Sequence, residues 1–306
     1  MKKWWFKWNT YQRERFPVFA HGVLIAAFSF SAVGFSTLLR GGEHPSSASV
    51  LVAFVNSFLA FLQLRIADEF KDYEEDSQFR PYRPVPRGLI SLRELGWLGA
   101  LTGAIQLSLA LWVNVDLVPY LLITWTYLAM MSREFFAREW LKNKPVTYLL
   151  SHMFIMPLID FYATACDWLL HRSSAPSGLF WFVAVSFCNG IVIEIGRKIR
   201  SPSEEETGVN TYTALWDRPT ALIAWWLALS GTLGCAWMAA RQIHFEKPVA
   251  LSLGVVFFVC IALGNQFLRH PEGAWTKKFE TLSGIWTLLL YLLLGAIPLG
   301  LRFIFR

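Results

Sequence analysis

The sequence predicts an all-α integral membrane protein of about nine transmembrane helices with its N-terminus in the cytoplasm. Three observations point there. The 306 residues are 55% hydrophobic and only 16% charged, against about 25% charged in soluble domains, and the mean hydropathy is +0.39. Apolar stretches recur at the length of about 20 residues that a spanning helix needs. Lys and Arg gather in alternate connections between those stretches.

The chain opens on a basic, aromatic segment from Met1 to Arg15. The apolar run behind it is too long for a cleaved signal and reads as a retained first span. The spans fall at 17–39, 48–67, 95–113, 117–131, 146–167, 178–196, 220–240, 248–268 and 282–301. Only Asn114–Asp116 separates the third from the short fourth, as in a tight hairpin. With the N-terminus inside, 21 of the 28 Lys and Arg residues lie in cytoplasmic segments, the bias that orients membrane proteins. An odd number of spans places the C-terminus outside. Residues 1–306 form a single transmembrane domain, with a possible repeat of helices 1–4 in 5–8 and a ninth helix added. Polar motifs four helices apart suggest that repeat, and repeats of helices recur in membrane folds.

The composition excludes two classes. The net charge of +6 is dispersed between spans rather than held in a basic domain, so no nucleic acid is expected. Cys166, Cys188, Cys235 and Cys260 make no CxxC pair, so neither a disulfide framework nor a zinc site is indicated.

Chemistry concentrates after the second span, in Asp68-Glu-Phe-Lys71-Asp72-Tyr-Glu-Glu-Asp76. Positions i, i+4 and i+8 share one helix face, so a continuing helix aligns Asp68, Asp72 and Asp76 as a stripe. Like charges at that spacing repel and call for a cation. Carboxylate oxygens suit Mg²⁺, which binds one or two carboxylates together with substrate phosphates. A solvated acidic loop is the plainer alternative. The next stretch of chain favours chemistry: Arg80-Pro-Tyr-Arg83-Pro-Val-Pro-Arg87-Gly88 sets three arginines on a proline-stiffened loop, and guanidinium groups bind phosphate in bidentate fashion. Inside the spans, Asp160 and Arg65 stand out as ionisable groups in an apolar setting, with His152, Asn56 and Asn189 as weaker candidates.

The run from Asp68 to Ser91 resembles the first signature of the UbiA superfamily of intramembrane prenyltransferases, N-x-x-x-D-x-x-x-D followed by K/R-P-x-R-P-[IVL]-P-x-G. Asp68 stands at the usual Asn. The second signature, K-D-x-x-D-x-x-G-D-x-x-x-G, is matched less well by Glu194 to Thr211: aligned on Gly208, Glu204 takes the place of the last aspartate and Arg200 that of the one before. The resemblance implies a nine-helix bundle around a central cavity, and Mg²⁺-dependent transfer of a prenyl group from a prenyl diphosphate to an acceptor, aromatic or lipidic, within the membrane. It implies Asp68, Asp72, Asp76 and Glu204 as catalytic, the same four with Glu194 and Glu205 as metal ligands, and Lys71, Arg80, Arg83, Arg87, Lys198 and Arg200 as diphosphate-binding. The partners expected are a prenyl diphosphate, an unknown acceptor and membrane lipids. The place expected is a bacterial inner membrane with the site facing the cytoplasm. Two other readings stay open. One is a membrane terpene cyclase of the same superfamily, which the Arg200 departure allows and product mass distinguishes. The other is a cation or lipid transporter, which the position of the acids at the membrane edge disfavours.

Overall fold

The computed structural model describes residues 2–305, and every regular element among them is helical. Nine segments among these residues are long and apolar enough to cross a membrane. The first is α2 (Val18–Leu39), preceded by α1 (Lys2–Arg15). The second is α3 (Ser47–Lys71), followed by the short α4 (Tyr73–Phe79). The third and fourth are α5 (Leu92–Val113) and α6 (Val118–Ser132), joined by a 3₁₀ turn at Val115–Leu117. Asn114 holds that hairpin by accepting from Asp116 N and donating to Leu169 O.

A short α7 (Arg138–Lys142) leads to the fifth span, which is broken into α8 (Pro145–Met153) and α9 (Ile155–Trp168). The cause is Pro157, which offers no N–H to the Met153 carbonyl. The sixth, seventh and eighth spans are α10 (Leu179–Gly196), α12 (Arg218–Gln242) and α13 (Glu246–Arg269), with α11 (Tyr212–Trp216) between the first two. The ninth runs from α14 (Thr276–Tyr291) through a π-helical turn at Leu292–Ala296 into α15 (Ile297–Ile304). Pro298 clashes with a regular ladder at this point. The wider turn also seats Gly295 against α2, where a Cβ would come within 2.3 Å of Ser31. Small residues at such contacts let membrane helices approach closely, which replaces the hydrophobic drive that lipid removes.

The sequence reading located the nine spans but not α1 as a helix. One face of α1 places Tyr11 in a small core with Ile66, Val85, Ile90 and Leu95. Its first turns expose Trp4, Trp5 and Phe6, as expected of an interfacial helix. Ion pairs from Lys7 to Glu94, Arg15 to Glu69 (2.5 Å) and Glu14 to Arg87 (2.9 Å) tie α1 across the loops that carry the polar motifs. Those motifs follow α3 and α10 and lie at one end of the bundle, called here the motif end.

Candidate active site

The predicted carboxylate stripe is not continuous. Helix α3 stops at Lys71, and Asp72 caps it with φ −95° and ψ 6°, its N–H bonded to Asp68 O at 2.9 Å. Repulsion along an unbroken row of acids is relieved by this break. Asp68 and Asp72 keep side chains 32% exposed, whereas Asp76 is turned inward and 2% exposed. Arg80 Nη2 and Arg83 Nη1 lie 2.7 and 2.6 Å from its two oxygens. Asp76 thus leaves the face that a continuous helix would share with Asp68 and Asp72, and two guanidinium groups lie on its oxygens. Arg80 and Arg83 are engaged in the same contact, so they brace the loop rather than stand free. Arg87 has other partners. It turns away from the acids to Glu14 and the Tyr82 carbonyl.

Asp68 and Asp72 are held loosely by comparison. Lys71 Nζ is 3.6 Å from Asp68 and 3.9 Å from Asp72, and Arg65 lies 3.6 Å from Asp68. Lys71 also donates to the Tyr148 hydroxyl at 3.0 Å. Burial pushes the Asp72 carboxyl above its usual range. Lys71 opposes that shift, and Asp68, Asp76 and Glu75 add to it. A carboxylate with this balance gains from any further cation.

The second motif faces the first. At the end of α10, buried Glu194 pairs with Arg197 and with Lys198, the latter at 2.8 Å. Arg197 is held above its ordinary range chiefly by Glu194, and Asp68 contributes to the shift across the gap between α3 and α10. Two cations against one carboxylate leave this cluster net positive beside the Asp68–Asp72 pair. The loops behind it interlock. Tyr82 donates to Glu206 at 3.2 Å, and Gly208, at φ +76°, lies so close to Phe79 that a Cβ would meet its ring at 2.4 Å. Glycine serves there for both conformation and space.

The three other expected residues on this loop each have partners within the protein. Glu204 is drawn away from the acids: its Oε2 accepts from Ser201 Oγ (2.7 Å), Trp275 N (3.0 Å), Thr276 N (3.0 Å) and Thr276 Oγ1 (2.9 Å), closing the start of α14. Burial works against its charge, yet these bonds hold its carboxyl down at about 2. Glu205 is engaged by the hydroxyls of Thr211 and Thr213, each at 2.7 Å. Arg200 bonds Glu206 and the Glu204 carbonyl, each at 3.2 Å, and so staples its own loop. Glu194 is consumed by its two cations. Among the described residues, no three of His, Cys, Asp and Glu form a metal cluster.

Asp68, Lys71 and Asp72 at the end of α3 thus lie toward Glu194, Arg197 and Lys198 at the end of α10, with Tyr148 and His152 of α8 nearby. Arg65 and Arg197 lay outside the expected binding set. The signal for Arg65 was its place one turn before Asp68. That for Arg197 was its i,i+3 spacing from Glu194, and Tyr148 had none. Deeper in the bundle, Asp160 is wholly buried, with the Ser186 hydroxyl beside its carboxyl.

A curated relative, the digeranylgeranylglyceryl phosphate synthase of Thermococcus sibiricus, is 23% identical over 276 residues, covering 87% of this chain and 91% of the relative. Among solved structures, the apo UbiA homologue of Aeropyrum pernix K1 superposes with a TM-score of 0.66 at 15% identity, covering 92% of this chain and 97% of that one. A UbiA homologue of Archaeoglobus fulgidus bound to DMAPP and Mg²⁺ gives a TM-score of 0.55 at 11% identity, covering 90% and 98%. The model of the UbiA prenyltransferase family matches residues 27–293, from the middle of α2 into the π-turn of the last span, and this chain belongs to that family.

Proposed function

We propose that the protein transfers a prenyl group from a prenyl diphosphate to an acceptor within the membrane, in a Mg²⁺-dependent reaction at the motif end. The observation that carries this reading is the pairing of two under-neutralised carboxylates, Asp68 and Asp72, with the net-positive Glu194–Arg197–Lys198 cluster across the gap. One side suits a divalent ion and the other an anion, and a metal diphosphate is both at once.

The donor set fits Mg²⁺. It offers oxygen ligands only, one helical turn apart and part-exposed, and Mg²⁺ takes one or two carboxylates with phosphates and water. When bound there, the ion neutralises charge that develops on the leaving diphosphate. Lys71, Arg197 and Lys198 supply fixed positive charge to the same oxygens. Arg80 and Arg83, by gripping Asp76, hold the loop that closes the site on one side. Deeper in the bundle, buried aromatic side chains help to exclude water from a developing allylic cation. Phe28 and Tyr291 meet edge to face at 5.0 Å near the middle of α2.

The acceptor is aromatic or lipidic, and the name of the Thermococcus sibiricus relative favours a lipid. The excess of Lys and Arg at the motif end supports a cytoplasmic site, in keeping with a bacterial inner membrane. The test uses purified protein in lipid nanodiscs with prenyl diphosphates of increasing length, with and without aromatic and glycerol-lipid acceptors. Prenylated acceptor that forms with Mg²⁺ and not with EDTA supports the reading. Absence of diphosphate release under every condition defeats it.

A further inference from the structure

His152 lies on α8 one turn beyond Tyr148, toward the membrane interior, about 6 Å deeper at 1.5 Å per residue. It is 6% exposed. Its ring stacks on that of Tyr148 with centroids 3.8 Å apart and an interplanar angle of 16°, and the edge of Phe135 closes it at 5.9 Å. Tyr148 in turn receives Lys71 at its hydroxyl. The imidazole is therefore locked in place just beneath the cationic layer of the site.

Its two nitrogens differ. Nδ1 is 2.9 Å from the Tyr148 carbonyl oxygen. A carbonyl only accepts, so Nδ1 carries the ring proton and Nε2 presents its lone pair. Nε2 is buried and has no hydrogen-bond partner. Most buried polar atoms find a partner; here the basic nitrogen is open, as are several other buried polar atoms of the bundle. Burial and Lys71 of α3 oppose a charge on the ring, whereas the Tyr148 carbonyl, Glu194 of α10 and Asp68 of α3 favour one.

We propose that His152 is the base that removes the acceptor's proton, an assignment that rests on the prenyl-transfer reading above. The depth is the reason. The diphosphate lies among Lys71, Arg197 and Lys198, and the carbon it leaves, C1, lies on its membrane side, in the layer of His152. The C1–O bond breaks and its electron pair goes to the diphosphate oxygen. The acceptor's hydroxyl oxygen or ring carbon bonds to C1. The proton it sheds moves to Nε2. The imidazolium so formed keeps its Nδ1–H on the Tyr148 carbonyl and is offset by Asp68 and Glu194, and it returns the proton to the departing diphosphate. The acceptor class is thus a protic nucleophile, whose proton a dry cavity gives no water to take.

The experiment measures coupling: prenylated acceptor formed per diphosphate released, in nanodiscs, with the acceptor that supports turnover. His152→Asn keeps a donor for the Tyr148 carbonyl and removes the lone pair. His152→Phe keeps the stacking and removes it too. Both variants are expected to slow transfer about 100-fold, as loss of a general base does, and to lower coupling at least tenfold as the prenyl group is lost as a diene, its own proton passing to the diphosphate. A merely structural role lowers both products in parallel and leaves coupling as in the wild type. That result in both variants, or transfer within threefold of wild type, overturns the assignment while leaving prenyl transfer standing. A wild-type protein that releases no diphosphate overturns the reading beneath it instead.

Discussion

Asp167 and Asp72 are carboxylates at opposite ends of the same bundle, and they are treated in opposite ways. Asp167 is fully buried at the far end of α9. It accepts from Ser36 Oγ at 2.7 Å, Thr37 Oγ1 at 3.0 Å and both Nε and Nη2 of Arg40 at 2.8 and 2.7 Å. Every strong acceptor site is filled by α2 and its cap, so the acid joins two helices and has nothing left to bind. Asp72 is part-exposed, ends its helix, and has one cation at 3.9 Å. Repulsion from Asp68, Asp76 and Glu75 is left unrelieved. Within one chain, a saturated buried pair marks a structural joint, and an under-ligated group of acids marks a place for a ligand. Asp76 stands between the two cases: it belongs to the acidic run, and Arg80 and Arg83 lie on its two oxygens.

The sharpest break of that comparison is to neutralise the two loosely held acids. Asp68→Asn with Asp72→Asn is expected to lower Mg²⁺-dependent diphosphate release about 10³-fold, the scale on which preorganised electrostatic groups act. The unfolding temperature should hold or rise, because the change removes repulsion. Activity above a tenth of wild type, or a protein that no longer folds, removes these acids from the site. Asp167→Ala should do the reverse. It strands the Arg40 guanidinium in an apolar setting, a loss of about 3–5 kcal/mol for a broken buried pair. Thermal unfolding in detergent measures this, with turnover of the folded fraction kept within about twofold. An unchanged unfolding temperature would deny Asp167 its structural role.

The contrast between these ends was only half legible in the sequence. The nine spans were readable because hydropathy is summed over some twenty residues and tolerates errors at the ends. The acidic run after the second span was readable because its spacing and the arginines behind it lie within one short stretch. The internal arrangement of that stretch was not. A helix drawn on through Asp76 ignores the repulsion that breaks it at Asp72. Arg80 and Arg83 look free for phosphate until the loop folds back on Asp76. Glu204 fits a motif by alignment, but the helix start that claims it lies 72 residues away at Thr276, and no local pattern signals that partnership. His152 was visible only as a polar residue in an apolar span; its open nitrogen depends on the stacking and on the carbonyl one turn back.

Proton and metal compete for Asp72, which turns the comparison into a pH measurement. Its carboxyl is raised above the usual value, so the folded state holds the proton more tightly than the unfolded chain does. Stability from this group is therefore greatest at low pH and falls as pH rises from the ordinary aspartate value through the raised one. Metal binding runs the other way, because the ion needs the deprotonated form. The Mg²⁺ concentration for half-maximal turnover should climb as pH drops through the raised value, toward a limit of about tenfold per pH unit for one displaced proton. Asp72→Asn should flatten that dependence. An identical slope in the variant shifts the competition to another group.

The smallest effect tests the acid that a motif alignment would place at the metal. Glu204 closes the first turn of α14 through bonds to Trp275 N, Thr276 N and Thr276 Oγ1, and its carboxyl is held at about 2. A depressed carboxylate stabilises the fold above its unfolded value near 4.5 and ceases to do so as pH falls toward 2. Glu204→Gln keeps the shape and one accepting oxygen but gives up the charge, so it should cost about 1 kcal/mol, in the range of a weakened helix cap. That loss should be seen at neutral pH and vanish once the native glutamate is itself protonated. Half-maximal Mg²⁺ should stay within twofold of wild type, because the carboxylate serves a helix and not an ion. A tenfold rise in the Mg²⁺ requirement, with stability unchanged, would return Glu204 to the metal and join it to Asp68 and Asp72 rather than to Asp167.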